Sequence, residues 1–190
     1  MNIEQQIIYK DKLFQTLGTE QEFIIHPSAF GLMPLNKNAL QLPFQCEFYL
    51  EDYQLTLRNL QVCDEESLIA CSYEDKPEYE GIKVMYSGAV LIGADLVKEY
   101  YIKDKLACFS YQKVYELVFD NGRLTTTIDQ SKAMLKIRKN IDTGLRTLSK
   151  GRDLRCIKRF LNSSLIGDYN AFFLPFRRMK YLKVMQEDYQ

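Results

Sequence analysis

The chain has no tryptophan and a single histidine, His26, among its 190 residues. Serine and cysteine nucleophile systems need a histidine as base, and zinc sites commonly use several. The glycine-rich loops G-x-x-x-x-G-K-S/T and G-x-G-x-x-G, which hold nucleotide phosphates, are also missing from the sequence. These absences disfavour histidine-dependent hydrolysis, a zinc centre and a conventional nucleotide site. We therefore expect no cofactor and no metal, and we assign no catalytic residue.

Long apolar runs and paired cysteines are missing as well. The longest near-apolar run, residues 88–94, is far too short to cross a bilayer, and the first six residues do not resemble a secretory signal. The five cysteines form no C-x-x-C pair, so we expect reduced, mostly buried thiols and a cytoplasmic protein. An apolar share of 46% and a length of 190 residues fit one folded domain over residues 1–190.

What the chain does have is an uneven distribution of charge. Residues 1–130 contain 11 basic and 20 acidic side chains, a net charge of −9, whereas residues 131–190 contain 14 and 5, a net charge of +9. Such asymmetry can mark an interaction surface. It also fits two parts of one fold that neutralise each other, so both interpretations stay open.

Alternation of apolar and polar residues predicts a run of short strands. The clearest pair is 44–50 and 55–62, with a phase slip that predicts a β-bulge at Arg58-Asn59. Asn121-Gly122 lies between two further alternating runs and predicts a hairpin, because both residues tolerate positive φ. The hairpin strands are expected at 114–119 and 124–128, and other strands at 23–25, 68–73, 82–86, 89–92 and 106–111.

Spacings of three and four residues predict helices near both ends of the chain. They indicate an amphipathic helix over residues 1–19 that stops at Gly18, and a helical turn is expected over residues 96–101. After Ile128 the same spacing predicts three helices. Their expected extents are Ala133 to Leu148, Asp153 to Gly167, and residues 176–185.

Strands followed by helices argue against alternating βαβ units. The predicted class is α+β, with a mainly antiparallel β meander curled into a barrel or strongly bent sheet over residues 1–130 and a basic helical cap over residues 131–190. A leading helical turn, consecutive hairpins and a helix after the last strand resemble the lipocalin-like (calycin) barrels. The stretch from Tyr86-Ser87-Gly88 to Leu124 also looks like the strand order of uncharacterised bacterial proteins of that shape. The resemblance covers residues 20–130 and implies a barrel with a cup for a ligand.

Aromatic rings and carboxylates provide the candidate sites of the strand region. One aromatic group can line a cup for a small apolar or planar ligand, or it can simply pack in the core. Glu47 and Glu116 are candidates for a carboxylate pair inside the barrel that acts on a sugar-like substrate. The acidic clusters at 64–66 and 74–80 are more typical of solvated loops. The aromatic group consists of Tyr86, Tyr100, Tyr101, Phe109 and Tyr111.

The densest basic segment lies on the predicted helices, over residues 132–159. Arg152, Arg155 and Arg159 share one side of the second helix, beside Lys158, while its apolar residues face inward. This basic face can bind an acidic protein, a membrane surface or nucleic acid, or it can pair with carboxylates of the strand region. Nucleic acid is disfavoured, because the chain is neutral overall and no aromatic residue lies among these charges.

The leading expectation is a non-enzymatic intracellular binding module, which takes a small ligand in the barrel cup or an acidic partner on the basic helical face. The alternative is a histidine-independent enzyme that uses barrel carboxylates and tyrosines on a small, sugar-like substrate. A partner-blocking protein of the immunity or antitoxin type is a third interpretation, which suits the small size and the split charge. The sequence leaves the identity of the partner unknown.

Overall fold

The computed structural model describes residues 4–21, 23–25, 27–30, 44–63, 73–101, 107–142, 150–167 and 169. Within these residues the chain forms eight strands and two α-helices. The strands are β1 (Glu4–Tyr9), β2 (Lys12–Thr19), β3 (Phe44–Glu51), β4 (Gln54–Cys63), β5 (Tyr73–Asp75), β6 (Gly88–Leu96), β7 (Tyr111–Asp120) and β8 (Arg123–Asp129). The helices are α1 (Ser131–Asp142) and α2 (Lys150–Ser164).

The strands hydrogen-bond in the order β3-β1-β2-β6-β7-β8-β4-β5, and an additional β3–β4 pair closes that order of pairings. The pairs β1–β2, β3–β4, β4–β5 and β4–β8 are antiparallel, whereas β1–β3 is parallel. The predicted α+β class, a mainly antiparallel sheet followed by C-terminal helices, is confirmed. The parallel β1–β3 pair departs from a simple meander, and so do the neighbours β2–β6 and β8–β4, which are not consecutive along the chain.

The chain divides into two compact units. Unit 1 comprises Met1–Thr16, Gln21–Gly88 and Val118–Thr125, and unit 2 comprises Leu17–Glu20, Ala89–Leu117 and Thr126–Gln190. Each unit buries its own set of apolar side chains, and each such side chain contributes roughly 1.5–3 kcal/mol of hydrophobic stabilisation. The set of unit 1 includes Ile7, Phe14, Phe48, Leu55, Leu57 and Leu60, and that of unit 2 includes Val90, Ile92, Val114, Leu117, Met134, Ile137 and Leu161.

Strands β3 and β4 match the predicted strand pair, including its irregularity. Glu47 lies opposite Asn59, and the next residue, Phe48, lies opposite Leu57. Arg58 is therefore the extra residue of a β-bulge, which confirms the slip expected at this position.

The predicted Asn121-Gly122 turn joins β7 and β8. Both residues have positive φ, 46° and 77°. The Gly122 amide donates to the carbonyl oxygen of Tyr86 at 2.7 Å, and a Cβ atom at Gly122 would lie 1.8 Å from the carbonyl oxygen of Val84. The turn therefore requires glycine for its backbone conformation and for this close approach.

The helix predicted over residues 1–19 is wrong. Residues 4–19 form the β1–β2 hairpin, in which Ile7 lies opposite Phe14. The chain reverses at Lys10-Asp11, where φ is 51° and 58°. Adjacent apolar residues on both sides of this turn fit a helical face as well as a strand, and the hydrogen-bonded neighbours of β1 in the sheet decide between the two.

Three of the segments predicted as strands differ in the structure. Residues 23–25 form no strand, and the Ile24 amide donates to the Gln5 side-chain oxygen at 3.2 Å. Residues 82–86 contain a single bridge, between Lys83 and Thr56. In the segment predicted over 106–111, the 3-10 turn Cys108–Ser110 precedes β7. In the first and third cases backbone groups find partners outside a strand ladder.

Several other described elements agree with the sequence, whereas β5 extends from Tyr73 to Asp75 into the segment 74–80 that was expected as a loop. Strand β6 contains the predicted strand 89–92, and the 3-10 turn Lys98–Tyr100 falls in the expected helical turn. Helix α1 starts at Ser131, whose amide donates to the Asp129 side chain at 2.9 Å, and α2 starts three residues before the predicted Asp153. The predictions that concern 64–72, 143–149, 176–185 and His26 lie outside the described residues.

Candidate functional site

The five aromatic residues predicted to line a cup are divided between the two units. Tyr86 belongs to unit 1, where it is 1% exposed and meets Phe119 edge to face at a ring-centroid distance of 6.2 Å. Tyr100, Tyr101, Phe109 and Tyr111 belong to unit 2. Phe109 and Tyr111 are buried, whereas Tyr101 is exposed. Their role in ligand binding stays a prediction.

Arg138 of helix α1 ties this part of unit 2 together. Its guanidinium is buried, and Nη1 donates to the carbonyl oxygens of Phe109 at 2.9 Å and Tyr111 at 2.6 Å. Burial lowers the pKa of the guanidinium below its ordinary value. The Tyr100 hydroxyl donates to Asp142, at the end of the same helix, and burial together with this hydrogen bond raises the pKa of Tyr100 to about 12. These contacts attach α1 to the segment before β7.

Glu116 is a fully buried carboxylate on β7, and four hydrogen bonds surround it. Its Oε1 atom accepts from the amides of Ile166 and Gly167, both at 2.8 Å, and from the Tyr169 hydroxyl at 2.9 Å. Its Oε2 atom accepts from the Gln130 side chain at 3.0 Å. Because three of these donors, Ile166, Gly167 and Tyr169, follow the last turn of α2, the carboxylate fixes the C-terminal end of that helix.

The predicted carboxylate pair is divided as well, since Glu47 belongs to unit 1 and Glu116 to unit 2. Glu47 pairs with Arg58, with Nε and Oε1 3.3 Å apart. The described donors to Glu116 are neutral groups, and no arginine of the basic segment is among them.

The basic face of α2 is exposed. Arg152, Arg155, Lys158 and Arg159 all face solvent, whereas Ile157 and Leu161 on the other side of the helix are buried. Within the described part of the chain, Arg152, Arg155 and Arg159 form no ion pair. The helix is thus held by its apolar side and by the contacts that follow it, without ion pairs between these three arginines and other described residues.

Unit 1 contains a depression that the sequence did not predict. A surface cavity of about 480 Å³ has Ile8, Tyr49 and Leu50 in its lining. Lys10, Asp11, Arg58 and Glu80 complete the lining. The β1–β2 hairpin contributes three of these seven residues. The helix predicted over residues 1–19 therefore gave no indication of this site.

A smaller cavity of about 70 Å³ in the same unit is lined almost entirely by polar side chains. Its lining consists of Gln6, Gln45, Cys46, Glu47, Asn59 and Gln61. The ion pair between Glu47 and Arg58 joins one lining residue of each cavity. The alternation of polar residues with apolar residues along β3 was the available signal, and the polar rows that it forms with the neighbouring strands depend on the strand pairing.

The cysteines whose side chains the structure describes are two buried thiols and one exposed thiol. Burial raises the pKa of the Cys46 and Cys108 thiols to about 12, which keeps them protonated, whereas the Cys156 thiol is exposed and free. Among the described residues, no three His, Cys, Asp or Glu side chains are grouped so that they could hold a metal ion. The described helices also lack the length and apolar character needed to cross a membrane.

Comparison with known proteins found no matching family model, curated protein or solved structure.

Proposed function

We propose that the protein is a non-enzymatic binding module whose basic face on α2, formed by Arg152, Arg155, Lys158 and Arg159, binds an acidic segment of a partner protein. The observation that carries the proposal is the exposure of these cations on a helix whose opposite side is packed. A partner therefore finds them in place, because the helix does not have to fold or move for binding.

The main alternative was that the arginines dock the helix on the acidic strands. In that case arginine–carboxylate pairs would hold α2. A partner could then bind the arginines only if these pairs were broken, which would cost a large amount of free energy. Ile157, Leu161 and the Glu116 contacts supply the attachment of α2 instead. Three arginines without ion pairs in the described residues support a role outside the fold.

An acidic protein suits this face better than nucleic acid. The net charge of the chain is zero, so long-range attraction to a phosphate backbone is weak. The one aromatic ring of α2, Phe160, lies under the Lys136 ammonium at 4.9 Å and is not available for stacking with bases. Arginine forks match single carboxylates well, and three of them spaced three and four residues apart fit an acidic peptide.

The test uses fluorescein-labelled poly-glutamate as the acidic probe. Wild-type protein is expected to bind it with an affinity that falls as salt is added, because exposed charges are screened. The double variant Arg155→Glu with Arg159→Glu should bind about tenfold more weakly or worse, as measured by fluorescence anisotropy. Both side chains are exposed, so the free energy of unfolding should change by no more than about 0.5 kcal/mol.

The matched control is Lys83→Glu with Lys98→Glu, which makes the same change in net charge at two other exposed positions. It should leave binding within about twofold, since the proposal assigns the effect to α2. Equal loss in both double variants would contradict a localised face. Tighter binding of duplex DNA or RNA than of poly-glutamate, with the same dependence on Arg155 and Arg159, would replace the acidic partner with nucleic acid.

The finer parts of the proposal concern class and location. We place the protein in the bacterial cytoplasm, and the free, exposed Cys156 thiol supports a reducing compartment. The likeness to lipocalin-like barrels is supported by the closed order of strand pairings alone. Partner blocking of the immunity or antitoxin type is compatible with the same basic face.

A further inference from the structure

A second binding face lies on the sheet of unit 1, on the side away from the buried residues of β1, β3 and β4. Its side chains form cross-strand rows, because the register aligns outward residues of neighbouring strands. One row is apolar: Leu13 lies opposite Ile8, and Ile8 lies opposite Tyr49. Two residues further along each strand, a polar row follows. It consists of Gln15, Gln6, Glu47 and Asn59.

A third row continues the polar side. Gln45 lies opposite Gln61, and Gln61 lies opposite Asp75. The cavity of about 480 Å³ opens over the apolar row, and the cavity of about 70 Å³ opens over the two polar rows. A volume near 480 Å³ is within the range of sites for small molecules, and the smaller one can hold a single protruding group.

The amides of the polar rows have hydrogen-bonding capacity to spare. Gln6 donates to Gln15 at 3.2 Å, and Gln61 donates to Asp75 at 2.7 Å. The side chains of Gln45 and Asn59 form no hydrogen bond with another described residue. Each amide offers two donors and one acceptor oxygen, and a hydroxyl group can both donate and accept. Rows of amides therefore complement a ligand with several hydroxyl groups.

The charges around the larger cavity favour a ligand without net charge. Lys10 and Arg58 are balanced by Asp11 and Glu80, and Arg58 is also paired with Glu47. A phosphate or a free carboxylate would meet as many anions as cations here, and it would gain little. Tyr49 and Ile8 add a flat apolar floor, on which the C–H face of a ring can lie.

We propose that this face binds a neutral carbohydrate, with one sugar ring against Tyr49 and Ile8 and the hydroxyls of a neighbouring ring on the amides of Gln45 and Asn59. The apolar row and the polar rows lie side by side. A pyranose ring is divided in a similar way, since its C–H face suits the apolar row and its hydroxyl rim suits the polar rows. The site is in unit 1 and does not depend on the basic face of α2. The two proposals can therefore fail separately.

The experiment follows the side-chain amide signals of the full-length protein by NMR while neutral trisaccharides are added. Maltotriose, cellotriose and N,N′,N″-triacetylchitotriose serve as probes. At least one is expected to shift the Gln45 and Asn59 side-chain signals in a saturable manner, with a dissociation constant of about 1 mM. Tyr49→Ala should weaken this binding about tenfold or more, whereas Tyr53→Ala, an exposed tyrosine in the β3–β4 turn, should leave it within twofold.

A second variant protects the test against a folding defect of Tyr49→Ala. Asn59→Leu keeps the size of the side chain and removes its hydrogen-bonding groups, so it should weaken binding about fivefold. Gln112→Leu on the exposed side of β7 is its control. Absence of saturable shifts with all three sugars would overturn the proposal. So would tighter binding of a zwitterionic dipeptide, or binding that survives both Tyr49→Ala and Asn59→Leu.

Discussion

Gln5 and Thr16 each bury a polar atom, Gln5 Nε2 and Thr16 Oγ1, that has no hydrogen-bond partner among the described residues. Gln5 and Thr16 each follow directly on the Gln6–Gln15 pair, one on β1 and the other on β2. A buried donor or acceptor left without a partner costs about 1–3 kcal/mol. These two side chains are therefore local weaknesses of unit 1.

Thr16→Val replaces the buried hydroxyl with a methyl group of the same shape. We expect the free energy of unfolding to rise by about 1 kcal/mol, because the desolvation cost of the hydroxyl disappears. Urea denaturation followed by circular dichroism measures it. Thr126→Val, at an exposed position of β8, is the control and should change stability by less than about 0.5 kcal/mol. Destabilisation by Thr16→Val would show that the hydroxyl has a partner in solution.

The raised pKa of Tyr100 predicts that the free energy of unfolding falls at alkaline pH. Its pKa is raised from the ordinary value of 10.0 to about 12 by burial first and then by the hydrogen bond to Asp142. The folded state therefore holds the phenol proton more tightly than the unfolded state does. This contribution is complete below pH 10 and is lost as the pH rises from about 10 to about 12.

Tyr100→Phe should remove this dependence, so that the free energy of unfolding falls less between pH 10 and pH 12 than in the wild type. Denaturation curves over that pH range measure the difference, and Tyr53→Phe, whose side chain is exposed, is the matched control. Parallel pH profiles of Tyr100→Phe and the wild type would argue against the raised pKa.

At the scale of elements, the end of α2 depends on a single strand residue. Glu116 accepts four hydrogen bonds at this point, and Gly167 is required there because a Cβ atom would lie 2.6 Å from the Tyr169 ring. The helix thus ends where β7 supplies a carboxylate, so the position of the basic face follows from a strand residue.

Glu116→Gln replaces one acceptor oxygen with a donor that faces other donors. We expect a loss of about 2–4 kcal/mol in the free energy of unfolding, since hydrogen bonds to a charged group are the stronger ones. Tyr169→Phe, which removes one of the four bonds to this carboxylate, should cost about 1.5–3 kcal/mol. Hydrogen exchange of the Ile166 and Gly167 amides should accelerate in Glu116→Gln. Glu78→Gln, at an exposed position, is the control.

Sequence reasoning succeeded where one local signal decided the structure. Asn121-Gly122 tolerates positive φ, and the phase slip at Arg58 has no other simple cause than a bulge. It failed for β1 and β2, because their turn at Lys10-Asp11 carries neither asparagine nor glycine. Only the pairing of β1 with β3, far along the chain, distinguishes a hairpin from a helix there.

At the scale of the whole molecule, the division of charge along the sequence does not coincide with the two units. The net charge of −9 over residues 1–130 falls in both units, because residues 89–117 belong to unit 2. Exposure of the α2 arginines could not be predicted, since it depends on what holds the helix. The candidate sugar site could not be predicted for a similar reason, since its rows exist only when four strands are in register.

The bulge in β4 explains why the side chains of two consecutive residues, the cation of Arg58 and the amide of Asn59, lie on the same side of the sheet. In a regular strand, consecutive side chains point to opposite sides, so one side receives only every second residue. The inserted residue breaks this rule, and Arg58 and Asn59 both lie away from the core between Leu57 and Leu60. A sheet normally spaces its functional groups nearly 7 Å apart along a strand. Here one irregular step doubles their local density, and it places a lining residue of the larger cavity, Arg58, next to one of the smaller cavity, Asn59.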